Sequence, residues 1–180
     1  SDCALGSNQG EEIVCLHEES PGPPLTACIF SIEGERVDCY AKQVAMALRK
    51  LADRFPGDGL LDDRVVILLP DAAFAVDLKP KLEAQIASRF AGTGRHFDLV
   101  DAETAAAALP SDGGRSTIER LVFSPLDDFD GGERVFGIVV NMDGDQTNLA
   151  LARSRLYRAI FRAHVLPLAV SIGTVEQQRQ

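Results

Sequence analysis

The chain has 180 residues, 46% of them hydrophobic, and a formal net charge of -9 at pH 7. That length buries one full core and is short for two, and no apolar run approaches the roughly 18 residues that a bilayer crossing needs. An acidic chain with a pI near 4.8 is also a poor free-standing nucleic-acid binder, because such affinity rests on Lys and Arg neutralising phosphates.

The first residues, Ser1-Asp2-Cys3, lack a methionine and read as a processed start or an excised piece. Residues 1–10 are polar and glycine-containing, as in a linker or a disordered segment. One domain is expected over 11–175, with 176–180 as a tail. All four cysteines, Cys3, Cys15, Cys28 and Cys39, fall in the first forty residues without a Cys-x-x-Cys spacing. No zinc or redox motif is formed, reduced thiols are expected in a chain with an ample core, and the setting is read as intracellular, either cytoplasmic or nuclear.

Glu12 to His17 reads as a short strand, broken by Ser20-Pro21-Gly22-Pro23-Pro24. Leu25 to Ile32 reads as a second strand, antiparallel at a sheet edge. From Val37 to Phe55 the apolar positions Val44, Ala45, Leu48, Leu51, Ala52 and Phe55 recur at three- and four-residue spacing, which predicts an amphipathic helix. Arg64 to Pro70 is a continuous apolar run, as in a strand covered on both faces, and is the candidate for the central strand.

Leu78 to Phe90 returns to helical spacing and stops at Gly92-Thr93-Gly94. His96 to Val100 predicts a strand, Ala102 to Leu109 an alanine-rich helix ended by Pro110, and Arg120 to Ser124 another strand. Strands alternating with helices imply crossover units. The expected fold is therefore three-layer α/β, a mainly parallel sheet with helices on both faces, with ligands beyond the carboxyl ends of the strands.

Two strings stand out near the C-terminus. Asp127-Asp128-Phe129-Asp130-Gly131-Gly132-Glu133-Arg134 leads into the strand Val135 to Val140. Ser154-Arg155-Leu156-Tyr157-Arg158-Ala159-Ile160-Phe161-Arg162-Ala163-His164 follows, within a helix predicted from about Asn148 to His164, and runs into the apolar segment Val165 to Val170. On that helix Leu149, Ala152, Leu156, Ala159, Ile160 and Ala163 form the apolar stripe, and Arg155, Arg158 and Arg162 share a neighbouring one. By spacing alone the arginines read as a solvated face complementing the negative end of the helix dipole.

In order and spacing the two strings resemble motifs V and VI of the superfamily 1 helicases. The resemblance covers about residues 60–172, with the strand from Val65 to Leu69 in the place of motif IV, and implies a RecA-like lobe. It implies that Arg162 is the arginine finger that stabilises charge on the transferred phosphate. It implies that Glu133 contacts the nucleotide sugar, with Gly131 and Gly132 making the close turn before it and Arg158 beside the nucleotide. The chain departs from the family at Phe161, where a threonine is usual, and at Asp130, where a lysine is usual.

No Gly-x-x-x-x-Gly-Lys-Ser/Thr loop is present to cradle phosphates and Mg²⁺. The chain alone is therefore not expected to hydrolyse ATP or to hold a cofactor; ATP and Mg²⁺ would bind only with a partner N-terminal RecA-like lobe. The alternative is a degenerate lobe that serves as a protein-interaction or regulatory module, and a third reading is a stand-alone α/β enzyme, for which no nucleophile and base converge. Asn141-x-Asp143-x-Asp145 alternates oxygen ligands, but Gln146 and Ala152 stand where a calcium loop needs glycine and glutamate. No metal site is assigned, and His17, His96 and His164 are too scattered for a triad.

Overall fold

The computed structural model describes residues 26–30, 34–57, 61–107, 118–129, 132–142 and 149–172. The element order is β1 (Thr26–Phe30), α1 (Arg36–Arg54), β2 (Val65–Leu69), α2 (Ala72–Phe90), β3 (His96–Val100), α3 (Ala102–Ala107), β4 (Ile118–Pro125), β5 (Arg134–Val140), α4 (Leu149–Ile160) and β6 (Ala163–Ile172). The six strands form one sheet in the order β1-β6-β5-β2-β4-β3, and every pairing is parallel. The strand expected from Glu12 to His17 lies outside the described residues.

Side chains leave a strand on alternate faces, and the core divides accordingly. Val65, Ile67 and Leu69 of β2 join Leu121 and Phe123 of β4 and Phe136, Ile138 and Val140 of β5 beneath α1 and α2. Val66, Leu68, Val122 and Val139 point the other way, towards Ala105 of α3 and Ala159 of α4. All five residues of β2 are buried, so its sequence needs no polar alternation. The fold is the three-layer α/β architecture that the alternation of elements predicts.

Three details differ from the expectations above. The strand at residues 26–30 is at an edge but runs parallel, with Thr26 opposite Leu168 and Phe30 opposite Ile172 of β6. Helix α2 starts a turn and a half earlier than its apolar spacing indicates, because the Asp71 carboxylate accepts the Phe74 N–H at 2.8 Å, an N-cap, and the helix continues through the exposed Pro80.

Helix α4 stops at Ile160, not His164. Its last turn tightens, with the Phe161 N–H donating to the Tyr157 carbonyl and the Arg162 N–H to that of Ala159. Ala163 then pairs with Arg134 as the first residue of β6. Sheet pairing overrides the helical spacing here, and Arg162 lies on a turn instead of on the helical stripe with Arg155 and Arg158. Buried Ala152 and Ala159 and half-buried Leu156 hold α4 on the sheet.

Candidate functional site

The acidic string crosses from the carboxyl end of β4 to the amino end of β5. Its start is fixed where the Leu126 N–H donates to the Leu69 carbonyl at 2.9 Å, and Leu126 and Phe129 are buried among the α3 and α4 contacts. Asp127 and Asp128 between them are exposed. Asp130 and Gly131 lie outside the described residues.

Gly132 owes its identity to Phe129. A β-carbon there would stand 2.7 Å from the ring, well inside van der Waals contact. Its backbone is not among the positive-φ glycines, so the conformational freedom of glycine is not what the turn uses at Gly132; the close approach is to a core ring.

Glu133 is exposed and ends at Arg134, the first residue of β5. The Arg134 backbone N–H donates to the Arg162 carbonyl at 3.0 Å. Glu133 and Arg162 therefore sit on adjacent strand starts, at the amino edge of the sheet. This corrects the expectation that the site lies beyond the carboxyl ends. Only Asp127 and Asp128 follow a strand's carboxyl end, and α4 reaches them: Arg158 Nη1 is 3.1 Å from Asp127 Oδ1.

Four residues outside the motif assignments, Arg134, Asp63, Asp62 and Arg120, hold this corner together. The Arg134 guanidinium donates to the Glu133 carbonyl at 2.9 Å and to Asp63 Oδ1 at 3.0 Å, and lies 5.8 Å from the centre of the Phe129 ring. Asp63 adopts φ 54°, a left-handed conformation that is costly for a side chain with a β-carbon, though Asp tolerates it better than most. The neighbouring Asp62 accepts the Arg120 N–H at 2.8 Å and its guanidinium at 3.1 Å. Burial opposes ionisation of Asp62, but the bonds and charge of Arg120 together hold its carboxyl below the ordinary value. The sequence signal for Arg134 is its place directly after the glutamate; Asp63, distant in sequence, has none.

Chemically the corner holds a guanidinium at Arg162 and an exposed carboxylate at Glu133, and among the described residues no nucleophile stands beside a base. Arg162 suits stabilisation of an anion, and Glu133 suits acceptance of hydroxyl hydrogens. The carboxylates of Asp63, Asp127 and Asp128 make the surroundings unfavourable for a bare phosphate without a further cation. Among the described residues no group of three or more His, Cys, Asp or Glu is placed to hold a metal ion. Asn141, first of the alternating oxygen residues, uses its Oδ1 to accept from Arg36 and the Tyr40 hydroxyl, each at 2.8 Å; Asp143 and Asp145 lie outside the described residues. Cys28 and Cys39 are thiols. A groove of about 520 Å³ near Ile86, Phe90, Arg95, His96 and Phe97 lies at the β3 edge and shares no residue with the motif positions. No helix of the described residues is long and apolar enough to cross a membrane.

No protein-family model matches the chain, and no curated protein matches it. Among solved structures it is similar to the crystal structure of the C-terminal domain of a possible DNA helicase from Lactobacillus plantarum WCFS1, at 18% identity and a TM-score of 0.52. The chain shares the α/β architecture of that domain. The likeness covers 85% of this chain and 76% of that one, and at this identity it speaks for architecture.

Proposed function

We propose that the chain is the second RecA-like lobe of a superfamily 1 helicase-like ATPase, a single domain over about residues 11–175. The observation that carries this reading is the Arg134 N–H to Arg162 carbonyl bond, which sets Glu133 and Arg162 side by side. Across a cleft, Arg162 stabilises charge on the transferred phosphoryl group and Glu133 takes the ribose hydroxyls. The N-terminal lobe of the same protein supplies the P-loop and the Mg²⁺ ligands that this chain lacks, so no ATP hydrolysis is assigned to the chain alone. Gly131 and Gly132 shape the approach to Glu133. Arg158, paired with Asp127, would approach the nucleotide once that pair opens. Nucleic acid contacts this acidic lobe weakly, and the setting is intracellular.

The test is Arg162→Ala in a protein that carries both lobes. ATP turnover should fall by about 10³ or more, as for other arginine fingers, with ATP affinity largely intact. Turnover equal to that of the parent protein rejects the assignment.

One observation favours the second reading, a lobe used for protein interaction or regulation. Phe161, at the position of the family's threonine, is 62% exposed immediately before Arg162. Absence of nucleotide-stimulated turnover in the two-lobed protein, with both lobes folded, selects that reading.

A further inference from the structure

Helix α4 ends in an exposed aromatic pair. Tyr157 and Phe161 are 51% and 62% exposed, and their ring centres lie 4.4 Å apart at an interplanar angle of 46°. Single exposed apolar residues are ordinary, whereas contiguous apolar patches, as they grow, are where interaction surfaces are found. Leu151, a turn or two earlier on the helix, is 40% exposed, and Arg153 and Arg158 are exposed along the same helix. Aromatic residues with arginine are the composition of energetically dominant interface positions.

The charge around the pair selects the occupant. From Gln146 to Val175 the sequence holds Arg153, Arg155, Arg158 and Arg162 and no Asp or Glu, in a chain whose net charge is -9. Helix α4 thus carries three arginines and no carboxylate in an otherwise acidic chain. A nucleic-acid strand would need a continuous cationic track for its phosphates, and here Arg158 is already paired with Asp127, with Asp128 exposed beside it. A protein segment needs less, an apolar side chain against the two rings and a carboxylate near Arg153, which is exposed one turn before Tyr157.

We infer that the Tyr157 and Phe161 face of α4 is a docking site for an acidic protein segment with an apolar or aromatic anchor. The assignment does not depend on catalysis: it uses the outer face of α4, and it holds whether or not Arg162 serves an ATP site. Phe161 then has a role that a threonine in its place could not fill.

The experiment is selection of random twelve-residue peptides displayed on phage against the full chain, followed by titration of the enriched peptides against Phe161→Ser, Tyr157→Ser and Arg153→Glu variants. Both rings are solvent-exposed, so the serine variants should keep the parent's circular dichroism and melting temperature; Arg153→Glu is an independent check that touches neither ring. The expected result is enrichment of peptides with Asp or Glu around a Phe, Trp or Leu, whose affinity falls by at least about tenfold in each variant. Lack of enrichment, enrichment of basic peptides, or equal binding to the parent and the serine variants overturns the inference. Binding of a dT20 oligonucleotide that is lost in Phe161→Ser, without peptide enrichment, overturns it in favour of nucleic acid. Concentration-dependent dimerisation lost in Phe161→Ser, again without enrichment, overturns it in favour of a second copy.

Discussion

Arg158 on α4 and Asp127 after β4 approach to 3.1 Å, so the arginine-rich helix and the acidic string are joined by an ion pair at one side of the sheet. The contact is close but wet, with side chains 46% and 66% exposed. Solvent and salt screen such pairs, and holding two long side chains offsets much of the attraction. A double-mutant cycle with Arg158→Ala and Asp127→Ala should give a coupling of less than about 1 kcal/mol, shrinking further at about 1 M salt. A larger, salt-insensitive coupling would show that the pair is desolvated in solution.

Gly132 makes a stricter prediction. Because a β-carbon would meet the Phe129 ring at 2.7 Å, and Phe129 is only 4% exposed, the ring has little room to retreat. Gly132→Ala should destabilise the chain by about 1–3 kcal/mol, the usual range for overpacking. Phe129→Leu, by making space, should recover part of that loss when combined with Gly132→Ala. Denaturant titration of the single and double variants measures both, and additive losses would contradict the contact.

Arg95 and Glu119 form a buried two-pronged pair, at 2.6 and 2.7 Å, with side chains 9% and 3% exposed. Glu119 also accepts the Leu61 N–H at 3.0 Å. Removing one partner strands a buried charge, so Glu119→Ala should cost about 3–5 kcal/mol. Arg95→Met with Glu119→Leu should cost less than that single change, because no charge is left alone, although Leu61 still loses its acceptor. Thermal unfolding of the three chains distinguishes these outcomes.

Asp62 links stability to pH. Its folded-state pKa is lower than its unfolded one despite burial, owing to the bonds and charge of Arg120. Its contribution is therefore complete above the ordinary carboxylate value and is lost as pH falls below it and through the lowered folded value. Asp62→Asn should reduce stability at neutral pH and have a progressively smaller effect as the pH is lowered through the carboxylate range, which urea unfolding at a series of pH values measures. An effect that is constant across that range would mean the carboxylate charge does not contribute.

What the sequence discloses and what it hides divide along physical lines. Val65–Leu69 is readable as a doubly covered strand because all five of its side chains are buried, and an uninterrupted apolar run so short, closed by proline, suits little but a strand in the middle of a sheet. The amphipathic spacing of α1 is equally plain. The direction of β1 is not, since its partner β6 lies far along the chain and nothing in five residues records which way a distant neighbour runs. The end of α4 misleads for a related reason: Ala163 continues the helical apolar spacing, yet its pairing with Arg134 decides its conformation. The first turns of α2 are hidden because the helix buries no residue before Leu78, so they carry no apolar spacing to read.

For the candidate site, motif order brings Glu133 and Arg162 into one frame, and the backbone bond at Arg134 gives that frame a geometry. The Asp63 and Arg134 contact stays out of reach because it joins residues 71 positions apart, and because the unusual φ of Asp63 falls on a residue type that does not announce it. The role of Gly132 is legible as close approach, but its partner, Phe129, becomes visible only once the loop has folded over the core.

The pairing of the first described strand with the last has a consequence for synthesis. Thr26 to Phe30 emerge from the ribosome ahead of every other described strand, while Leu168 to Ile172, the residues they pair with, emerge after all the others. Among the described strands β6 is the neighbour of β1, so this edge of the described sheet can be laid down only once β6 is in place. A stop codon before Ala163 would thus remove two strands from the sheet, one by deletion and one by abandonment.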